Sequence, residues 1–352
     1  MAYTTINKSS AYFDTLLWTG NSASDSGTQN ITGLNFQPGF IWNKTRSAEN
    51  HILTDVLRGT NSFLRSNATT LGYNPANCYQ IPLSNGFTAQ GDEGGEFNYT
   101  NINYVSWNWK AGTTTGLVTN GDTDITPSSY SFNQTSGFSI IRYTGIGGTP
   151  KQIPHGLGVK PKMFIIKRIN ASGSWGVLPQ QIGTGHLYLD GTQAISNTNP
   201  LSGGVLADAV NFSVSDSGDV NASGGTYVAY CFADVTGFSN VGSYIGNGSA
   251  NGTFIYTGFK PAWVLIKDSG RTESWFIFDT KRDGNNGAMS GLSPNNTSAE
   301  GTTNGTQLGL LSNGFKLTGT TDHLNGNNQN FIYMAFAEAP LVGSNNVPAT
   351  AR

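Results

Sequence analysis

The stretch Gly258-Phe-Lys-Pro261-Ala-Trp263-Val-Leu-Ile-Lys267 decides the fold, because two earlier segments repeat its pattern. Those segments run from Gly158 to Lys167 and from Asn35 to Lys44. In each, a proline is followed two residues later by a large apolar side chain and six residues later by a lysine. Proline fixes the turn, and the apolar run after it is typical of a buried strand. The pattern predicts three buried strands, each ending at a lysine that extends its side chain to solvent.

Two further landmarks accompany each of these strands. An aromatic-x-Gly sequence opens each unit, and an apolar strand that ends in an aromatic residue closes it. The chain advances 71, 71 and 75 residues from the proline to the closing aromatic, and 91, 89 and 92 from the opening aromatic to the same residue. Three landmarks in one order at near-equal distances predict homologous units. The residues expected in the core of the repeat are Pro38, Lys44, Trp109, Pro161, Lys167, Phe232, Pro261, Lys267 and Phe336.

The composition indicates an all-β protein with many turns. Charged residues make up only 11% of the chain, against about a quarter in ordinary soluble domains. Forty-six glycines indicate many turns, and 11% aromatic residues exclude a disordered chain. About ninety residues with six to eight short strands fit a small β-sandwich better than a solenoid repeat or a propeller blade.

We therefore predict three tandem homologous β-sandwich units, jelly-roll-like and about 90 residues each. The six tryptophans on the repeat strands are expected in the core rather than on a sugar-binding platform. The predicted order is a lead-in (1–17), unit 1 (18–111), a Gly/Thr/Ser-rich linker with a connecting strand (112–142), unit 2 (143–233), a short linker (234–243), unit 3 (244–340) and a tail (341–352).

Charge and hydropathy argue against several classes of partner. The formal net charge is −2 and basic residues do not cluster, so the sequence predicts no nucleic-acid partner. No apolar run approaches the 18 or more residues of a membrane span, and the first residues lack a signal-peptide pattern. We expect a soluble protein made in a cytoplasm. Cys78 and Cys231 are expected to be separate reduced thiols.

The sequence predicts no metal site and no cofactor. The four histidines, His51, His155, His186 and His323, lack metal-ligand spacing. Two acidic pairs, Asp122 with Asp124 and Asp216 with Asp219, could offer oxygens to Ca²⁺, but surface turns are the favoured interpretation.

No catalytic residue is predicted. No nucleophile elbow is present, and the strongest enzymatic alternative is glycoside hydrolysis by paired carboxylates. Asp55 and Asp279 occupy matching positions in two units, which favours a structural role for both. The candidate carboxylates for hydrolysis are Asp92, Glu93 and Glu96, or Asp279 and Asp283.

Any ligand is expected to meet loops rather than strands. Amide- and hydroxyl-rich loops on a rigid scaffold commonly carry recognition. The candidate loops are 59–84, 183–209 and 284–311. Possible contact residues are Tyr73 and Tyr188 in these loops, and His155 in a turn ahead of a repeat strand.

Four segments carry a family resemblance over essentially the whole chain. They are Met1-Ala-Tyr-Thr-Thr-Ile, the stretch from Ile153 to Met163, Gly224-Gly-Thr-Tyr-Val-Ala-Tyr-Cys-Phe-Ala233, and the segment from Pro340 to Arg352. The sequence resembles virion structural proteins of marine tailed phages, especially those that infect cyanobacteria. Such proteins are fibre-like or appendage-like, and the resemblance brings no catalytic residues with it.

The resemblance implies a non-enzymatic, surface-exposed protein of the virion, synthesised in the host cytoplasm. A tail fibre, tail tip or host-recognition adhesin that acts through its loops is the favoured role. The alternatives are a capsid decoration or head-fibre protein, and an appendage-borne glycan depolymerase. Expected partners are other virion proteins, a host surface glycan and further copies of the chain, with a trimer favoured.

Overall fold

The protein is built almost entirely of antiparallel strands. A computed structural model describes residues 4–22, 24, 27–73, 78–91, 93–283, 289–301 and 308–342. Strands hold 44% of the residues and helices 4%, which confirms the predicted all-β class. The strands form three large sheets, each accompanied by a smaller one, and each such combination is called a sheet pair below.

Sheet pair 1 follows a 3-10 turn at Ser9–Ala11 and contains another at Glu93–Gly95. Its strands are β1 (Phe13–Thr19), β2 (Thr28–Thr32), β3 (Pro38–Thr45), β4 (His51–Asp55), β5 (Leu64–Arg65), β6 (Tyr79–Leu83), β7 (Gly86–Gln90) and β8 (Asn103–Lys110). The large sheet has the order β1-β8-β3-β4-β5, and the small sheet has the order β2-β7-β6.

Sheet pair 2 contains a 3-10 turn at Gln180–Ile182. Its strands are β9 (Ser129–Asn133), β10 (Phe138–Thr144), β11 (Lys151–Pro154), β12 (Met163–Arg168), β13 (Gly176–Pro179), β14 (Leu187–Tyr188), β15 (Asn211–Val214) and β16 (Thr226–Phe232). The large sheet has the order β14-β13-β12-β16-β10-β9, and β11 pairs with β15 in the small sheet.

Sheet pair 3 contains a single helical turn, α1 (Asp322–Asn325). Its strands are β17 (Ser239–Ile245), β18 (Phe254–Tyr256), β19 (Phe259–Asp268), β20 (Trp275–Asp279), β21 (Leu308–Leu311), β22 (Gly314–Leu317) and β23 (Asn330–Pro340). The large sheet has the order β17-β23-β19-β20, and the small sheet has the order β18-β22-β21.

One strand order recurs in the three large sheets. An opening strand (β1, β10 or β17) pairs with a closing strand (β8, β16 or β23), which pairs with a proline strand (β3, β12 or β19) and then a fourth strand. Segment 112–142, predicted as a linker with a connecting strand, supplies β9 and most of β10. The lead-in 1–17 likewise supplies most of β1. Common descent of the three parts stays a prediction.

Each proline strand is buried on both faces, which explains its uninterrupted apolar run. On β19, Val264 and Ile266 face a local core against the small sheet of pair 3. Trp263 and Leu265 face a core shared by all three large sheets. The tryptophans predicted in the core are at most 1% exposed, and the nine residues expected in the core of the repeat are buried. They are Trp42, Trp107, Trp109, Trp175, Trp263 and Trp275.

The closing aromatic residues meet at the centre of the shared core. The ring centroids of Trp109 and Phe336 are 5.5 Å apart, those of Phe232 and Phe336 are 6.1 Å apart, and those of Trp109 and Phe232 are 6.3 Å apart. One residue from each closing strand therefore forms a triangle of edge-to-face rings, the geometry that aromatic pairs prefer. The three large sheets consequently depend on one another for burial.

Sheet pair 1 differs from the others in the chemistry between its two layers. Asn43 stands where the other proline strands have Ile166 and Ile266. Its side-chain oxygen accepts a 2.9 Å hydrogen bond from Gln80, and the Gln80 oxygen accepts one of 2.7 Å from Thr54. A buried amide network with satisfied partners replaces aliphatic packing there.

Contacts from the residue at the start of the fourth strand, or just before it, connect neighbouring sheet pairs. The indole nitrogen of Trp175 donates to the Arg65 carbonyl at 2.9 Å, which joins pair 2 to pair 1. The indole nitrogen of Trp275 donates to the Tyr188 carbonyl at 2.9 Å, which joins pair 3 to pair 2. His51 holds the same place in pair 1 and contacts the Ser293 backbone of pair 3, without full hydrogen-bond geometry. Pair 2 thus contacts pair 1, pair 3 contacts pair 2, and pair 1 contacts pair 3, so the three sheet pairs form a closed ring.

We expect Trp109→Ala to destabilise the whole protein by about 3–5 kcal/mol, because it removes a ring from a core that belongs to all three sheet pairs. Urea unfolding followed by tryptophan fluorescence and far-UV circular dichroism should show one transition at a lower midpoint. The control is Tyr256→Ala, whose side chain is 55% exposed and whose loss should cost less than about 0.5 kcal/mol. Separate transitions, with only one shifted, would contradict the shared core.

Candidate functional site

The three repeat lysines do not reach solvent as predicted. Lys44, Lys167 and Lys267 are 0% exposed. The Lys44 Nζ donates to the carbonyls of Thr45 at 2.9 Å and Ser47 at 2.5 Å. Burial lowers the pKa of Lys44 to about 7, and the pKa of Lys167 and Lys267 to about 8. The prediction of solvated lysine ends was wrong because backbone carbonyls enclose the end of each proline strand.

Lys167 also ties sheet pair 2 to sheet pair 1. Its Nζ donates to the carbonyls of Thr69 at 2.8 Å and Gly173 at 2.5 Å. The ammonium group lies 6.0 Å from the centroid of the Trp175 ring. Each of the three ammonium groups donates to carbonyls of the protein, which gives these lysines a structural role.

Asp55 and Asp279 form buried ion pairs at matching ends of β4 and β20. Arg58 Nε lies 2.5 Å from Asp55 Oδ2, and the hydroxyl of Tyr230 donates to that oxygen at 2.8 Å. Arg282 Nε lies 2.5 Å from Asp279 Oδ2. In each case the aspartate also accepts bonds from backbone N–H groups. Their recurrence reflects a structural role, as the sequence analysis favoured.

The neighbouring closing strand completes each ion pair. Trp107 of pair 1 donates its indole N–H to Asp279 of pair 3 at 3.1 Å. In the same way, the Tyr230 hydroxyl of pair 2 donates to Asp55 of pair 1. In sheet pair 2 the corresponding positions hold Pro179 and Ile182. The closing strand of pair 3 offers Met334 at the position of Trp107 and Tyr230. At this position the third junction therefore has apolar side chains in place of an ion pair.

The remaining acids proposed for hydrolysis do not form a free pair in the described structure. Glu96 is buried and its two oxygens accept bonds from Arg65, each of 2.9 Å. Asp283 accepts a hydrogen bond from the Ser290 backbone. Asp92 and the side chain of Glu93 lie outside the described residues. The described carboxylates among these candidates therefore provide no free pair for a glycan depolymerase.

His155 and Tyr73 differ in their access to a ligand. His155 is 0% exposed, and burial lowers its pKa to about 4. Its Nδ1 accepts a bond from the Leu157 N–H at 3.1 Å, so Nε2 carries the proton and donates to the Asp208 carbonyl at 3.2 Å. His155 thus fixes a turn. Tyr73 is 45% exposed beside Phe63, with the Arg65 guanidinium 5.3 Å from its ring centroid.

One member of each acidic pair considered for calcium accepts a hydrogen bond from the backbone. Asp124 Oδ2 accepts a bond from the Gln152 N–H at 2.8 Å, and Asp219 Oδ1 accepts one from the Ser174 N–H at 2.8 Å. Among the described residues, no group of three or more His, Cys, Asp or Glu side chains could hold a metal ion.

A cleft of about 860 Å³ opens on the outer side of sheet pair 2, within the range of small-molecule sites. It is lined by β14 with the residue before it, by segment 193–204, by residues 215–217 and by Thr149. Loop 183–209, predicted as a recognition loop, thus supplies most of the lining. Parts of the other two predicted loops, residues 74–77, 284–288 and 302–307, lie outside the described residues.

Backbone contacts hold the cleft open. His186 and Ser196 exchange two N–H to carbonyl bonds of 3.0 Å, which fix segment 193–204 along β14. Ile195 N donates to the Ser269 carbonyl of sheet pair 3 at 2.8 Å. Gly203 closes the rim at a φ of 67°, where an added Cβ would lie 2.5 Å from Thr149 Oγ1. The cleft is therefore preformed rather than a gap between mobile loops.

His186 and Tyr188 form the aromatic wall of the cleft. Their ring centroids are 5.3 Å apart in an edge-to-face arrangement. His186 is 5% exposed, and burial lowers its pKa, so the ring is neutral near pH 7. Its Nδ1 has no hydrogen-bond partner in the described structure. Tyr188 is partly buried, and burial together with the Asp219 charge raises its pKa.

The sequence analysis named Tyr188 as a possible contact residue but considered His186 only as a metal ligand. The available signal was their spacing of two residues, which places both side chains on one face of a strand. Burial of His186 could not be foreseen, because it depends on the bridge to Ser196 ten residues later.

Comparison with known families now complements this geometry. A family model described as a domain of unknown function, DUF7483, matches residues 8–340. The chain belongs to this family. The match extends over all three sheet pairs. A search of curated proteins gave no match. No helix in the described part of the chain is long and apolar enough to cross a membrane.

We expect the stability of the protein to rise with pH relative to that of Lys44→Met. The unfolded chain keeps the lysine protonated up to about pH 10.4, whereas the folded chain releases the proton near pH 7. Between these values the unfolded state binds more protons, so the free energy of unfolding of the native chain increases with pH. Urea unfolding of both proteins from pH 6 to pH 10 measures the difference.

Lys160→Met is the matched control for Lys44, because Lys160 is exposed. Its stability difference from the native chain should stay constant over the same range. A constant difference for Lys44→Met as well would show that the buried ammonium keeps its proton on the surrounding carbonyls.

Arg58→Ile should destabilise the protein by about 3–5 kcal/mol, because it leaves Asp55 charged, buried and unpaired. The triple change Asp55→Pro, Arg58→Ile and Tyr230→Met copies the apolar set of the third junction and should recover most of this loss. Denaturant unfolding measures both effects. A triple variant no more stable than Arg58→Ile would show that the two kinds of junction are not interchangeable.

Proposed function

We propose that the chain is a non-enzymatic structural protein of a phage virion, carried on an exposed appendage and acting through loop contacts. A tail fibre, tail tip or host-recognition adhesin is the favoured place. The resemblance to virion proteins of marine tailed phages motivates the setting, and the product would be made in the host cytoplasm. Other virion proteins and the host surface would be its partners.

The observation that carries this proposal is the separation of scaffold from loops. Ionisable groups inside the scaffold form hydrogen bonds or ion pairs with other scaffold residues. Examples are Lys167, Asp55 and Asp279. The preformed cleft, by contrast, is built from the loop that follows β13. A rigid body that presents polar loops suits recognition, because the loops lose little conformational freedom on binding.

Exposed apolar side chains support self-association of the chain. Phe254 and Tyr256 on β18, an edge strand, are 43% and 55% exposed, and Ile245 at the end of β17 is 59% exposed. Apolar groups on an unpaired edge are typical of surfaces that pair with another chain. A homo-oligomer, with a trimer favoured, is therefore part of the proposal.

The second candidate role is capsid decoration. The triangle of Trp109, Phe232 and Phe336 relates the three sheet pairs of one chain around a common centre. A protein with that internal arrangement could sit on a threefold position of a shell as one copy. This observation favours the head of the particle, whereas the cleft favours an appendage.

Electron microscopy of purified particles labelled with an antibody fragment against this chain tests the proposal. Label at fibre or tail tips is expected, and label spread over the head would replace the adhesin role with capsid decoration. Particles from which the chain is absent, by label and by mass spectrometry, would overturn the virion assignment. Sedimentation of the purified chain should show a trimer, and a monomer at all concentrations would remove that part.

A further inference from the structure

The cleft of sheet pair 2 shows an unmet requirement for a hydrogen bond. His186 Nδ1 is buried at the cleft wall and has no partner, although the rest of the residue is fixed by the bridge to Ser196 and by the Tyr188 ring. A buried polar atom without a partner costs free energy unless another molecule supplies the partner. An occupant of the cleft that reaches the His186 ring could supply this partner.

The charge of the lining restricts what that occupant can be. Asp216 is the one charged side chain among the described residues that line the cleft, and it lies at the exposed rim. Because no lysine or arginine joins it there, a phosphate, sulfate or carboxylate would meet no counter-charge and one repelling group. An anionic ligand is disfavoured by this lining.

The remaining groups match a molecule rich in hydroxyls. Gln193 and Asn199 offer amides, and Ser196 and Thr198 offer hydroxyls, so most polar partners can both donate and accept. A ligand hydroxyl would also satisfy His186 Nδ1 in either tautomer, since it can act as donor or acceptor. Pro200 and Leu201 give an apolar strip for the C–H face of a ring.

We propose that this cleft binds a neutral saccharide, with His186, Tyr188 and Asp216 as contact residues. The inference rests on the proposed recognition function and names its ligand class. Individual contacts of this kind are weak, and several copies of the chain on one particle would multiply them.

Saturation-transfer NMR of the full chain tests the ligand class. The probes are the neutral trisaccharides maltotriose, mannotriose and N,N′,N″-triacetylchitotriose, with the acidic trigalacturonate as comparator. We expect transfer to at least one neutral probe and none to trigalacturonate. No transfer to any neutral probe at about 10 mM, a concentration that detects even millimolar dissociation constants, would overturn the proposal, as would equal binding of trigalacturonate.

Two variants test the place of binding. His186→Phe keeps an aromatic ring beside Tyr188 and removes both ring nitrogens, and Asp216→Ala changes only an exposed rim side chain. Each should raise the dissociation constant about tenfold. Asp122→Asn, on an exposed turn elsewhere, should leave it unchanged. If His186→Phe fails to fold, Asp216→Ala still decides the result. Full affinity in the foldable variants would place the ligand elsewhere and overturn the assignment.

The antibody label separates this inference from the proposed function. Label at the tail tips without saccharide binding would overturn the ligand class and leave the appendage role. Saccharide binding lost in the cleft variants, with label over the head, would establish the site and overturn the adhesin role.

Discussion

The structure depends on the need to cover both faces of each large sheet. A strand such as β19 carries apolar side chains on both of its faces, so a single partner layer cannot bury it. The small sheet covers one face, and the other two large sheets cover the second. At roughly 25 cal/mol for each Å² of apolar surface, exposing the inner faces would cost more than a domain of this kind has in stability. No sheet pair can therefore separate from the others without loss.

The same geometry is stabilised by two different chemistries. Two junctions use a buried aspartate and arginine with a donor from the neighbouring sheet, and the third uses Pro179, Ile182 and Met334. Buried ion pairs give little net stability over apolar groups of similar volume, because desolvation offsets the attraction. Their directional bonds do restrict how neighbouring sheets can meet.

Much of the strand architecture could be predicted from sequence, but the assembly of the sheets could not. The proline, aromatic and closing landmarks located the central strands, because turn chemistry and apolar runs are local. Lys44 shows the limit. Its position at a strand end suggested solvent, yet carbonyls from Thr45 and Ser47 enclose it. For Lys167 the enclosing carbonyl comes from Thr69, nearly a hundred residues earlier, and no local pattern contains that contact. The cleft was predicted as a loop but not as a preformed site, since His186 acquires its surroundings through Ser196 and sheet pair 3.

The joining of three sheet pairs in one covalent chain has a consequence for symmetry. A ring of three identical subunits must repeat every feature three times and dissociates on dilution, whereas a tethered ring does neither. Each sheet pair can therefore carry its own side chains: an amide network between the layers of the first, and the wide polar cleft on the second. Because the sheet pairs are tethered, one of them can carry a binding cleft while all three still contribute to the shared core.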